Sequence, residues 1–148
     1  MKHNPLRPIL LVEDSPVDAE MTLDALREAN LANPVVHVED GVDCLDWLYA
    51  RGAFEGRTSD DPIVVLLDIK MPRMNGLDVL TQMRADDQFR RTPVVILSSS
   101  REESDLARSW DLGVNAYVIK PVDVKQFFEA VRTLGQFWGV LNQSPDPQ

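Results

Sequence analysis

The stretch IVVLLDIKMPRMNG, residues 63–76, decides the fold of this chain. Its first five residues are apolar and include β-branched side chains, which is typical of a strand buried on both faces. Asp68 follows this run, and a loop with proline, asparagine and glycine comes next. Packing explains a carboxylate at the end of a buried strand poorly, so Asp68 is a candidate functional residue.

Two other segments share this layout. Glu13 and Asp14 follow the apolar run ILLV (9–12), and Lys120 follows AYVI (116–119). If these runs are neighbouring parallel strands, three carboxylates and one ammonium meet at one edge of a sheet. Such an edge suits a hard divalent cation, most plausibly Mg²⁺, and a phosphoryl group. A backbone carbonyl in the Ile69–Lys70 loop is a further candidate ligand.

Strand-like runs alternate with amphipathic patterns five times along the chain. The predicted strands are Ile9–Val12, Val35–Val38, Ile63–Leu67, Val94–Ser98 and Tyr117–Ile119. Helices are predicted after Asp14 or Ser15, after Gly41, after Gly76, from about Glu102 to Leu112, and from about Asp123. We expect an α/β fold, a flavodoxin-like (βα)5 arrangement with a five-stranded parallel sheet of order 2-1-3-4-5 and helices on both faces. Its ligand crevice would lie at the carboxyl ends of the first and third strands.

Composition limits the class of protein. The 148 residues fit one domain, 1–148, with a core of about 8–141 and a flexible tail at 142–148. The formal net charge of −9 argues against generic binding to nucleic acid or anionic membrane. The single cysteine, Cys44, excludes an intramolecular disulfide and a cysteine-based zinc cluster. No apolar stretch approaches the roughly 20 residues of a membrane span, so we expect a cytoplasmic protein.

The strand-end residues have ordinary explanations as well as chemical ones. Carboxylates can be helix caps or protonated neighbours with a raised pKa, a lysine before proline is usually solvated, and Ser98 begins a run typical of a loop. Capping does not explain why Glu13 and Asp68 converge with Asp14. In the chemical interpretation Asp68 is a nucleophile, Lys120 supplies a point charge and Ser98 a hydroxyl donor.

Taken together, these residues resemble the receiver domain of two-component response regulators. The resemblance rests on LLVEDSP (10–16), LLDIKMPRMNG (66–76), PVVILSS (93–99) and AYVIKP (116–121), in this order. It implies that Asp68 accepts a phosphoryl group from a sensor histidine kinase. It also implies a signalling phospho-acceptor rather than an enzyme, one that promotes its own Mg²⁺-dependent phosphorylation and dephosphorylation. A phosphate sink or a phosphorelay intermediate is the alternative role.

The resemblance also implies the roles of the other site residues. Glu13, Asp14, Asp68 and the Lys70 carbonyl would hold Mg²⁺. Ser98 and Tyr117 would switch together on phosphorylation. Lys120 would bind the phosphoryl group beside a cis peptide bond to proline. Glu13 and Ser98 replace the commoner aspartate and threonine but keep the chemistry. The Lys70 side chain either shields the phosphoryl group from water or points into solvent, and both alternatives stay open.

Within this family the chain is similar to stand-alone regulators that serve phytochrome-type histidine kinases. The loop 52–61, the segment 86–93 and the ending 127–138 carry this narrower resemblance. The fifth helical pattern is apolar over a broad face. That face is either a wide core stripe or a homodimer surface through Phe137, Trp138 and Leu141, and we favour the dimer. Trp47, Trp110 and Cys44 are expected to be packing residues.

Three competing classes are disfavoured. An aspartyl phosphatase needs a second aspartate two positions after the nucleophile, where this chain has Lys70. A flavodoxin needs a Ser/Thr/Gly-rich phosphate loop after the first strand, where this chain has Glu13 and Asp14. A degenerate receiver would have lost Asp68 or Lys120.

Overall fold

Five parallel strands run through the centre of the computed structural model, which describes residues 7–58, 60–99 and 103–132. They pair in the order β2-β1-β3-β4-β5, as predicted. Three strands have the predicted bounds; β3 begins one residue later than expected and β5 one residue earlier. The strands are β1 (Ile9–Val12), β2 (Val35–Val38), β3 (Val64–Leu67), β4 (Val94–Ser98) and β5 (Ala116–Ile119).

Helices follow each strand, as the alternation predicted. Four of them begin at a side-chain cap, because Ser15, Asp40, Asn75 and Asp123 each accept a hydrogen bond from the N–H three residues later. Ser15, not Asp14, therefore caps the first helix. No helix within the described residues is long and apolar enough to cross a membrane. The helices are α1 (Pro16–Glu28), α2 (Gly41–Leu48), α3 (Gly76–Ala85), α4 (Glu103–Asp111) and α5 (Val124–Arg132), with a 3-10 turn at Gly52–Phe54.

The sheet is covered on both faces, which explains its continuous apolar strands. Ile9 and Leu11 of β1 pack in a core with residues of α1 and α5. Leu10 and Val12 point the other way and pack with residues of α2 and α3. Successive strand residues thus pack into two separate cores, because side chains alternate between the two faces of a sheet.

The prediction that Trp110 is a packing residue is wrong. Trp110 in α4 is 53% exposed, whereas its neighbour Ser109 is fully buried. Adjacent helix residues point about 100° apart, so the helix that buries Ser109 turns Trp110 to solvent. Trp47 and Cys44 are buried, as predicted. The predicted dimer residues, Phe137, Trp138 and Leu141, and the tail 142–148 lie outside the described residues, so both stay predictions.

Candidate functional site

Three carboxylates meet at the carboxyl ends of β1 and β3. One oxygen each from Glu13, Asp14 and Asp68 lies within 4.8 Å of the others. Strand pairing produces this meeting, because Val12 and Leu67 are register partners and the next residue on each strand is acidic. Glu13 and Asp68 are buried, at 1% and 6% exposure, while Asp14 faces solvent. The sequence thus predicted the cluster correctly.

Backbone hydrogen bonds orient the two buried carboxylates. The Glu13 N–H donates to the Val38 carbonyl at 3.0 Å, and Glu13 Oε2 accepts from the Ser15 N–H at 3.1 Å. The Asp68 N–H donates to the Val12 carbonyl at 3.1 Å, and Asp68 Oδ1 accepts from the Ile69 N–H at 2.8 Å. These bonds leave Asp68 Oδ2 to face the centre of the site.

Lys120 brings a cation into the cluster from the end of β5. Its Nζ contacts Glu13 Oε1 and lies 3.3 Å from Asp68 Oδ2. The side chain is only 8% exposed. The Lys120 N–H donates to the Ser98 carbonyl at 3.0 Å, which ties the ends of β4 and β5 together. The peptide bond from Lys120 to Pro121 is cis, as the resemblance to receiver domains implied.

Burial controls the protonation of this cluster. Burial raises the pKa of Glu13, the hydrogen bond to Lys120 lowers it and the charge of Asp68 raises it, so that the pKa is about 7 overall. Burial also raises the pKa of Asp68, although the charge of Lys120 opposes the shift. One ammonium therefore does not neutralise the buried carboxylates. The donors are all hard oxygen atoms, so a divalent cation fits this site. Without a cation, the alternative that neighbouring carboxylates are protonated applies to the same residues.

The remaining predicted site residues lie around this edge. Ser98 is the last residue of β4 and is 1% exposed. Tyr117 is half-buried in β5, and Lys70 is exposed in the loop after Asp68. β4 and β5 pair through this region, with Ser98 opposite Ile119. Their positions agree with the predicted roles, which stay predictions.

The loop between β3 and α3 is packed directly against the site. A Cβ placed on Gly76 would lie 2.0 Å from the Asp68 carbonyl oxygen. A Cβ on Gly41 would lie 2.3 Å from the Met74 carbonyl oxygen. The Gly76 N–H donates to the Ile69 carbonyl at 2.7 Å. Two residues without side chains thus let α2 and α3 begin against the loop that follows Asp68.

Arg73 joins the same loop to α2, a contact that no pattern in the sequence predicted. Its φ of 65° lies in the left-handed region. The guanidinium donates to Asp40 Oδ2 at 2.8 Å, to Asp40 Oδ1 at 3.0 Å and to Asp43 Oδ1 at 3.0 Å. Burial alone would raise the pKa of Asp40, but the hydrogen bonds from Arg73 and the Asp43 N–H lower it overall.

Asp18 is a second residue near the site whose contact was not predicted from the sequence. Its Oδ2 lies 3.0 Å from Lys120 Nζ, although 102 positions separate the two residues. The only sequence signal was an acid in the first turn of a predicted helix, and such acids are common for other reasons.

Comparison with known proteins agrees with this geometry. A sequence model of the response regulator receiver domain matches residues 9–132. The chain belongs to the response regulator receiver family. Members of this family are signalling phospho-acceptors that bind a divalent metal, and the strand order found here is that of the receiver fold. The predicted family and fold are therefore confirmed.

Several relatives resemble the chain over nearly its whole length. Response regulator Rcp1 of Synechocystis sp. is 33% identical over 135 residues, covering 91% of this chain and 90% of Rcp1. The solved bacteriophytochrome response regulator RtBRR is 54% identical with a TM-score of 0.86, covering 95% of this chain and 84% of that one. The bacteriophytochrome response regulator AtBRR is 49% identical with a TM-score of 0.84, covering 98% and 100%. The predicted likeness to phytochrome-linked regulators is confirmed.

One solved structure bears on the metal. The Mn²⁺-bound form of Rcp1 is 31% identical to this chain with a TM-score of 0.75, and the match covers 96% of this chain and 99% of that one. A divalent ion therefore binds a relative of the same fold, and this chain has its own three-carboxylate cluster at the sheet edge.

Proposed function

We propose that this receiver accepts a phosphoryl group on Asp68 from a sensor histidine kinase of the bacteriophytochrome type, in a Mg²⁺-dependent reaction. One observation carries the proposal: the carboxylates of Glu13 and Asp14 and the Lys120 ammonium converge on Asp68 at the carboxyl edge of the sheet. The similarity to bacteriophytochrome response regulators supports the choice of kinase. We also propose that the chain works in the cytoplasm.

The proposed step is a direct transfer between two side chains. A carboxylate oxygen of Asp68 forms a bond to phosphorus while the bond from phosphorus to the kinase histidine nitrogen breaks. The imidazole keeps the electron pair and takes a proton. The hydrogen bond from the Ile69 N–H to Asp68 Oδ1 fixes the carboxylate plane during this exchange. Such fixation lowers the barrier because the nucleophile needs no reorientation.

Charge neutralisation is the second requirement of phosphoryl transfer. Glu13, Asp14, Asp68 and the Lys70 carbonyl would hold Mg²⁺, which when bound would neutralise charge on the phosphoryl oxygens. Lys120, 3.3 Å from Asp68 Oδ2, supplies a positive charge and hydrogen-bond donors on the other side. The buried Ser98 hydroxyl at the end of β4 supplies a further donor.

The same residues suggest how the phosphoryl group is read. The Lys120 N–H donates a hydrogen bond to the Ser98 carbonyl, so a displacement of the Ser98 backbone would also displace the end of β5. Tyr117 lies on β5 and is half-buried. We propose that Ser98 and Tyr117 move together and alter the protein-binding surface that includes α4.

Phosphotransfer from a purified bacteriophytochrome kinase tests this function. The kinase is first autophosphorylated with radiolabelled ATP and then mixed with wild-type, Asp68→Asn and Asp78→Asn proteins. Asp78 is a matched acid in the first turn of α3, and its side chain is half-exposed. We expect label on the wild type and on Asp78→Asn, and none on Asp68→Asn or after chelation of Mg²⁺. Label retained on Asp68→Asn would contradict the assignment.

A further inference from the structure

Three carboxylates share the Lys120 ammonium, and one of them does not belong to the strand-end cluster. Glu13 and Asp68 lie at the ends of β1 and β3. Asp18 instead lies in the first turn of α1, and its Oδ2 is 3.0 Å from Lys120 Nζ. This is shorter than the 3.3 Å between Lys120 Nζ and Asp68 Oδ2. Asp18 is therefore a principal partner of the lysine.

The start of α1 places Asp18 over the site. Ser15 caps the helix, and its Oγ accepts a hydrogen bond from the Asp18 N–H at 3.2 Å. An acid at this position is favourable for any helix, because it interacts with the positive end of the helix dipole. A solvated carboxylate would interact with the dipole equally well, so the dipole does not explain a contact with the Lys120 side chain, which is only 8% exposed.

A bound cation would separate the roles of the three carboxylates. Among the described residues the metal-ligating cluster consists of Glu13, Asp14 and Asp68, without Asp18. A divalent ion would engage oxygens of Glu13 and Asp68 and so weaken their hold on Lys120. Asp18 would then be the carboxylate beside the ammonium that does not also bind the cation. A phosphoryl group on Asp68 needs that same ammonium.

We propose that Asp18 is a positioning residue that competes with the phosphoryl group for Lys120. The inference rests on the proposed function, because it concerns how Lys120 is shared when Asp68 is phosphorylated. Removal of the Asp18 charge frees the ammonium for the phosphoryl oxygens and removes a nearby negative charge that repels them. The affinity of the site for a phosphoryl group should therefore rise when Asp18 is replaced by asparagine.

Beryllofluoride, a mimic of an aspartate-bound phosphoryl group, measures this competition directly. It is titrated by calorimetry at saturating Mg²⁺ into wild-type, Asp18→Asn, Asp18→Glu and Asp78→Asn proteins. Asp78 is the matched control: it lies in the first turn of α3, its N–H donates to the cap Asn75, and its ion pair is with Arg108 of α4 at 3.7 Å. Asp18→Glu keeps the charge and tests whether the charge is the cause.

We expect Asp18→Asn to bind beryllofluoride about three- to fivefold more tightly than the wild type, the effect of one partly screened charge. The gain should shrink as ionic strength rises, and Asp18→Glu and Asp78→Asn should bind like the wild type. Mg²⁺ titrated alone should bind Asp18→Asn equally or more weakly, because an anion has been lost. General disruption of the site would weaken the binding of both ligands, so a gain for beryllofluoride without a gain for Mg²⁺ identifies competition.

Two results would overturn the inference. One is an Asp18→Asn protein whose beryllofluoride affinity is unchanged or lower while the wild type binds normally. The other is an Asp78→Asn protein that gains as much affinity as Asp18→Asn, since that would assign the effect to the helix dipole. A wild type that binds no beryllofluoride in the presence of Mg²⁺ is a different failure, because it would contradict the proposed function itself.

Discussion

Substitution of Gly76 by alanine should disable the site with a modest loss of stability. The added Cβ would lie 2.0 Å from the Asp68 carbonyl oxygen, 3.0 Å from the Asp68 carbonyl carbon and 3.1 Å from Ile69 Cα. All three are backbone atoms, so no side chain can rotate to make room. To move the added Cβ at least 3.0 Å away from the Asp68 carbonyl oxygen, α3 and the end of β3 must shift apart by about 1 Å. Overpacking of this kind costs about 1–3 kcal/mol.

The loss of activity should be larger than the loss of stability. Misplacement of reacting groups by about 1 Å can lower a rate a hundredfold. We therefore expect phosphorylation of the Gly76→Ala protein by phosphoramidate and Mg²⁺ to be about a hundredfold slower than that of the wild type. Urea unfolding should show a free-energy loss of about 1–3 kcal/mol.

Gly113→Ala is the matched control for this experiment. Gly113 has a φ of +76°, so alanine there also strains the backbone, by about 1 kcal/mol. The nearest atom to its added Cβ is Arg84 Nε at 3.7 Å, far from Asp68. Gly113→Ala should therefore lose stability but keep its phosphorylation rate. A Gly76→Ala protein that phosphorylates at the wild-type rate would refute the reasoning.

Two further predictions concern side chains that hold the loops. Arg84 donates to the carbonyls of Leu112 at 2.8 Å, Thr92 at 2.9 Å and Gly113 at 3.1 Å. Urea unfolding of Arg84→Met should therefore show a free energy of unfolding that is lower by about 2–3 kcal/mol. A loss below about 0.5 kcal/mol would contradict this. The pKa of Asp40 is lowered in the folded state from an ordinary 3.8, so its charge stabilises the fold above about pH 4. The stability difference between wild type and Asp40→Asn should therefore be constant near neutral pH and shrink as pH falls below 4, and a difference that grows in acid would be the opposite of what we expect.

Local sequence signals were sufficient for most of the fold. Strands β1, β2 and β4 have the predicted bounds because their apolar runs end abruptly at polar or turn residues. Ile63 was expected in β3, yet its N–H donates to the Pro8 carbonyl before the ladder begins at Val64. Strand bounds depend on the partner strand as well as on the run itself, so errors of one residue are natural.

Some residues of the candidate site were likewise predictable from the sequence and others were not. Glu13, Asp14, Asp68 and Lys120 were predictable because each follows a strand directly, and parallel pairing brings strand ends together. Asp18 and Arg73 were not, since their contacts depend on how a helix and a loop lie against distant parts of the chain. The exposure of Trp110 was missed for a related reason: periodicity places residues on helix faces but does not say which face is covered.

The most direct test of the central claim is the intact mass of the protein after incubation with phosphoramidate. Wild-type and Asp68→Asn proteins are compared with Mg²⁺ present and after its chelation. Asp68 is predicted to be the acceptor, so the wild type should gain one phosphoryl group only with Mg²⁺, and Asp68→Asn should gain none. A phosphoryl adduct on Asp68→Asn, or an unmodified wild type with Mg²⁺, would contradict the account.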